Sequence, residues 1–158
     1  MQELHSYAVF CDDVRSEANG KNFFVGVYQD SMFFEAPAPW ALPTFSVHIV
    51  LREPLVMPVP EVTISIETQT ASGRNVLWTA THPPSQDIQF FRHRFSFEDQ
   101  TDERKALVSR FNVQFAPLIF EEETRIEVKV KMGDSEPKII DRLRISSQQP
   151  EGKPLSEA

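Results

Sequence analysis

Residues able to do chemistry are present in this chain, but they are not grouped as chemistry requires. Asp12 and Asp13 are adjacent in an apolar run that reads as a strand. Successive strand residues point to opposite faces, so the two carboxylates do not share one side. One of them is expected to pair with Arg15 or Lys21 near a sheet edge, the alternative being a site for a cation or a partner. Asp30, Asp87, Asp99, Asp102 and Asp134 fall singly at expected strand ends, without the spaced Asp-rich loop of a calcium site. His5, His48, His82 and His93 lack the two-residue strand spacing that would bring two imidazoles onto one metal. Alternation predicts that His48 faces outward and that His93 faces inward as a hydrogen-bonded core residue. Cys11 has no histidine or second cysteine beside it, so a packed thiol is expected rather than a nucleophile. No Gly-x-Ser-x-Gly elbow occurs, and no glycine-rich loop precedes Gly20-Lys21. The reading therefore assigns no catalytic residue, no metal and no cofactor.

The elements that must carry these residues read as strands. Two apolar runs, Tyr7–Arg15 and Phe23–Tyr28, flank Asn19-Gly20-Lys21, the signature of an antiparallel hairpin. Phe45, Val47, Ile49 and Leu51 alternate with Ser46, His48 and Arg52, and Val62, Ile64 and Ile66 with Thr63, Ser65 and Glu67, their partner Val76–Ala80 following the turn Ala71–Arg74. Phe91, Phe95 and Phe97 are evenly spaced, and Phe111, Val113 and Phe115 repeat the pattern. Arg125–Met132 and Lys138–Ile145 form a second clear hairpin around Gly133-Asp134. Ser31–Phe34 predicts a short strand, Ala36–Pro43 a stiff proline-rich connector, and Gln100–Val108 one short helix. About nine strands with no crossover helices point to an all-β, two-layer antiparallel sandwich of immunoglobulin-like or C2-like type. It is expected to span residues 1–147 as a single domain, with a flexible tail over 148–158.

The formal charge of −7 repels phosphate backbones and anionic lipid alike, so neither nucleic acid nor a membrane is an expected partner. A lone cysteine, no Asn-x-Ser/Thr site and no signal-like start predict a cytoplasmic protein.

Phe10-Cys-Asp-Asp-Val-Arg15, Gly20-Lys21 and Val25-Gly-Val-Tyr28, followed by Leu42-Pro43 and an alternating strand, resemble a family of small uncharacterised bacterial proteins, a domain of unknown function. The resemblance implies an intracellular β-sandwich of bacterial or phage origin and brings no catalytic residues with it. Asp12, Asp13, Arg15, Gly20, Lys21 and Gly26 carry the motif, either as a site or as a shared folding nucleus.

Met32, Phe33, Phe34 and Trp40, set among prolines, are the candidate binding residues, as an apolar patch beside a rigid connector. The competing reading has these rings closing one end of the sandwich. The function expected is a non-enzymatic protein-binding or assembly module, acting through that patch or an exposed edge strand. Two alternatives stand beside it: a metal- or small-ligand-binding sandwich, possibly hydrolytic, and a self-associating structural protein.

Overall fold

A computed structural model of the chain describes residues 5–54, 60–83 and 106–147. They contain twelve strands and no helix. In chain order these are β1 (His5–Cys11), β2 (Asp13–Ser16), β3 (Asn22–Val25), β4 (Ser31–Phe33), β5 (Trp40–Leu42) and β6 (Phe45–Pro54). They continue with β7 (Val62–Gln69), β8 (Arg74–His82), β9 (Ala106–Phe115), β10 (Leu118–Phe120), β11 (Thr124–Met132) and β12 (Lys138–Ser146).

Two sheets make the layers. One is three-stranded, ordered β1-β6-β9, and the other five-stranded, ordered β4-β12-β11-β7-β8. All pairings are antiparallel except that of β4 with β12. Period-2 alternation turns Phe10, Phe45, Val47, Ile49 and Leu51 of the first sheet inward, against Val62, Ile64, Ile66, Ile126, Val128, Leu143 and Ile145 of the second. These residues form one contiguous buried cluster, which defines an all-β sandwich. Each such side chain contributes on the order of 2 kcal/mol on leaving water.

The proline-rich connector is itself partly strand. Its β5 pairs with β10, and the two together turn Trp40, Leu42, Leu118 and Phe120 into the core.

The opening hairpin differs from its sequence reading. β1 pairs with β6 along its whole length, β2 pairs with β3, and between β1 and the segment after β3 a single antiparallel bridge remains, Phe10 with Tyr28. Asp12 is the break between them, where the chain leaves the sheet and enters a separate two-stranded ribbon. That ribbon lies over the outer face of β6, with Phe24 edge-on to His48 at 5.1 Å. His48 points outward as alternation predicts, yet it is only 3% exposed because the ribbon covers it. Its Nδ1 is hydrogen-bonded to the Asn112 side-chain oxygen across the sheet.

The helix expected over Gln100–Val108 is overturned at its C-terminal end, where Ala106–Val108 belong to β9. Pairing with Arg52–Pro54 of β6 outweighs a short amphipathic pattern that cannot hold a helix alone. The rest of that segment, the Phe91–Phe97 strand with His93, and the tail over 148–158 lie outside the described residues. No helix among the described residues is long and apolar enough to cross a membrane.

Candidate functional site

The opening motif is a clasp. Past the Asp12 break, the Asp12 amide donates to the Val25 carbonyl at 2.9 Å and the Tyr28 amide to the Phe10 carbonyl at 2.8 Å. The Tyr28 hydroxyl donates to Asp12 Oδ1, closing a ring of contacts between β1 and the segment after β3. Burial, and then the Asp12 carboxylate, raise the Tyr28 pKa far above its ordinary value, so the phenol stays a donor. Gly26 has φ +64°, and a Cβ there would fall 2.6 Å from Asp12 Cγ, too close for any side chain to coexist with the clasp. Asp13 meets Arg15 at 3.0 Å on the exposed side of the ribbon, Gly20 occupies the turn at φ +80°, and the Lys21 amide donates to Asn19. The motif residues thus shape a kink and a turn. Gly26→Ala is expected to cost roughly 2–3 kcal/mol in chemical denaturation, from the left-handed backbone and the broken Asp12–Tyr28 bond. A loss below about 0.5 kcal/mol would show that the clasp is dispensable.

Cys11 is fully buried beneath this clasp, its thiol 3.8 Å from the Ser46 carbonyl. Burial, reinforced by the charges of Asp12 and Asp13, pushes its pKa up to about 11, which leaves little thiolate at neutral pH.

The aromatic candidates divide. Met32 and Trp40 are core residues at 6% and 5% exposure. Phe34 stacks on Trp40 at 5.0 Å, and the indole Nε1 donates to the Ala36 carbonyl at 2.7 Å. These three side chains therefore close an end of the sandwich and do not present a patch. Phe33 alone is exposed, at the margin of the five-stranded sheet.

The β1 edge is also occupied. Its Phe10 carbonyl and the following Asp12 amide are used by the clasp, and the Ala8 amide donates to the Asp141 carboxylate. Burial raises the Asp141 pKa, and the amides of Arg142 and Ala8 draw it partly back.

Sequence reasoning missed the outer face of the five-stranded sheet. Its side chains follow from register: one row across the strands runs Arg74, Gln69, Arg125, Arg144 and Ser31. The next row runs Val76, Glu67, Glu127 and Arg142, and Lys129 and Lys131 extend the face. Six cations, Arg74, Arg125, Lys129, Lys131, Arg142 and Arg144, thus face outward beside two carboxylates, Glu67 and Glu127, on a chain of net charge −7.

Most of the anionic charge on this face is internally consumed. Lys129 Nζ lies 2.6 Å from Glu67 and 3.2 Å from Glu127, and Arg74 reaches Glu67 at 3.5 Å. Lys129 and Glu127 are under 10% exposed although they sit on an outer face, because β11 is the middle strand and long neighbours cover it. Burial pushes the Glu67 carboxyl up, but hydrogen bonds from Lys129 and Ser65 and the charges of Lys129 and Arg74 more than offset it, so it titrates below the usual range. Arg125, Lys131 and Arg142 make no ion pair among the described residues.

Where β7 ends and β11 begins, a cleft of about 450 Å³ opens, lined by Gln69, Ala71, Glu123, Arg125 and Arg144 among others. The acidic turn Glu121–Glu123 frames it. Glu122 accepts the Ser72 amide at 3.3 Å, and hydrogen bonds from Ser72 and Thr70 hold its carboxyl below the usual range. Glu123 lies 3.7 Å from Arg144, both more than half exposed. Among the described residues no group of three or more His, Cys, Asp or Glu is placed to hold a metal, and Asp87, Asp99 and Asp102 lie outside them.

Fold and surface together define a small β-sandwich domain with a clasped N-terminal ribbon and a charge-polarised sheet face. A model of a family of unknown function (DUF6941) matches residues 6–151, and the chain belongs to that family. No curated protein and no solved structure matches it.

Proposed function

We propose that this chain is a non-enzymatic protein-binding module whose docking surface is the outer face of the five-stranded sheet. The observation that carries the reading is the exposed row Arg74, Arg125 and Arg144, with Arg142 and Lys131 beside it, on an otherwise strongly acidic protein. Charges of one sign gathered on a flat face steer encounter with a partner of the opposite sign. Exposed Val76, Ile139 and Phe33 around the charges supply apolar contact area of the kind a protein partner buries. The single buried thiol suits a reducing cytoplasm, and the motif resemblance suits a bacterial or phage-borne system.

Tagged wild type and a Lys131→Glu/Arg142→Glu variant, captured from host lysate, test the reading. A stoichiometric protein retained by wild type and by an Arg110→Glu control on the other sheet, but lost from the double variant, is the expected result. Equal retention by all three chains would move docking off this face.

A further inference from the structure

We infer that Arg125 and Arg144, with Arg74 and Gln69 in the same row, form a carboxylate-binding site that seats an acidic segment of a partner protein. The inference rests on the docking reading above and names the chemistry of what docks.

Arg125 and Arg144 are directly opposite each other in the β11–β12 register. Their Cβ atoms are therefore about 5 Å apart, a spacing at which like charges repel unless an anion lies between them. Within this chain the repulsion is only partly relieved. Glu123 reaches Arg144 at 3.7 Å through a solvated contact of small strength, and Arg125 makes no ion pair among the described residues. Two planar guanidinium forks on adjacent strands match the geometry of a carboxylate, which each can bind through two parallel hydrogen bonds. Gln69 extends the donors toward Arg74, whose Nε donates to Gln69 Oε1 at 3.2 Å. The adjoining cleft, about 450 Å³, admits several side chains of a bound segment. On its other flank Phe33 lies two strand positions beyond Ser31, the partner of Arg144, and offers an apolar surface to a neighbouring residue.

The same face is poorly built for nucleic acid. A single-stranded chain needs successive aromatic platforms, and Phe33 is the one aromatic at an outward position of this sheet among the described residues. Glu67 and Glu127 lie between the arginine row and Lys131, and the net charge of −7 repels a long phosphate backbone while tolerating a short acidic peptide. Glu123 occupies the place of the incoming carboxylate in the free protein, so it weakens binding by competing for Arg144.

Fluorescence anisotropy of labelled hexaglutamate against the full chain tests this, with hexaglutamine and an oligothymidylate of about twelve nucleotides as comparison probes. Hexaglutamate should bind, and should weaken about tenfold between roughly 50 and 300 mM salt as screening grows. Arg125→Glu/Arg144→Glu should reduce its affinity at least about tenfold, Arg110→Glu should leave it unchanged, and Glu123→Gln should tighten it about two- to fivefold. Thermal melts verify that each variant is folded, and Arg125→Gln replaces the double variant if that one is not. Hexaglutamate binding that ignores the arginine substitutions, tighter binding of the oligothymidylate, or a dimer in light scattering that the same substitutions dissociate would each overturn the inference. If a partner is lost with Lys131→Glu/Arg142→Glu while hexaglutamate ignores the cleft, the docking face stands and the carboxylate site falls.

Discussion

Replacing Lys129 with methionine is expected to lower the free energy of unfolding by about 3–5 kcal/mol, read from urea denaturation near neutral pH. The side chain is 7% exposed on the central strand and holds two carboxylates, Glu67 at 2.6 Å and Glu127 at 3.2 Å. Methionine keeps the packing volume and removes the positive charge that both acids share. Two mostly buried carboxylates would then face each other, with Arg74 at 3.5 Å the remaining cation near Glu67. The loss comes mainly from stranding those acids, so the triple variant Glu67→Gln/Glu127→Gln/Lys129→Met should recover much of it.

The pH dependence separates this cause from lost packing. In the native protein Glu67 titrates below its ordinary value of 4.5, so its contribution is complete above that pH and is lost as pH falls through the lower folded value. Without Lys129, burial and the facing Glu127 carboxylate push the Glu67 carboxyl up instead, and its protonation relieves the variant. Its deficit relative to wild type should therefore shrink between pH 7 and about pH 4.5. A deficit that is small and constant with pH would show that water already screens the cluster.

Trp40→Ala should likewise cost about 3–5 kcal/mol, seen as a fall of roughly 10 °C or more in Tm. The indole is 5% exposed, stacks in parallel on Phe34 and donates to the Ala36 carbonyl, so truncation leaves both a cavity and an unpaired acceptor. Phe33→Ala, one residue from the same stack, should change Tm by less than about 3 °C because its ring already meets solvent. Similar losses for both would mean that the two rings share one packing unit.

Alternation was legible wherever one face of a strand is buried and the other is wet. Val62–Ile66 shows this directly, with Thr63 and Ser65 partly exposed between buried neighbours, whereas Phe45–Leu51 keeps the period in residue type although its outer face, Ser46, His48 and Val50, is buried as well. His48 obeys the same period and is nevertheless buried, since the ribbon that covers it comes from residues more than twenty positions earlier. The opening hairpin was legible in its turn and its pairing but not in its extent, for a related reason. Asn-Gly specifies a turn, but not how far the paired strands run: past Asp12 the ladder is reduced to one antiparallel bridge, Phe10 with Tyr28, while β1 pairs along its length with β6.

Taken alone, the amino-acid sequence determined the all-β class, most strand positions, the two turns around Gly20 and Gly133, and a motif whose residue types repeat in the clasp. Those are local properties, set by side-chain period, turn conformation and the lack of a glycine-rich or metal-ligand pattern. Only the tertiary structure decided which face each charge occupies. Arg74, Gln69, Arg125 and Arg144 come from three separate stretches of chain, and strand register is what sets them in one row. Net charge averages over that arrangement, so an acidic total conceals a basic face until the strands are paired.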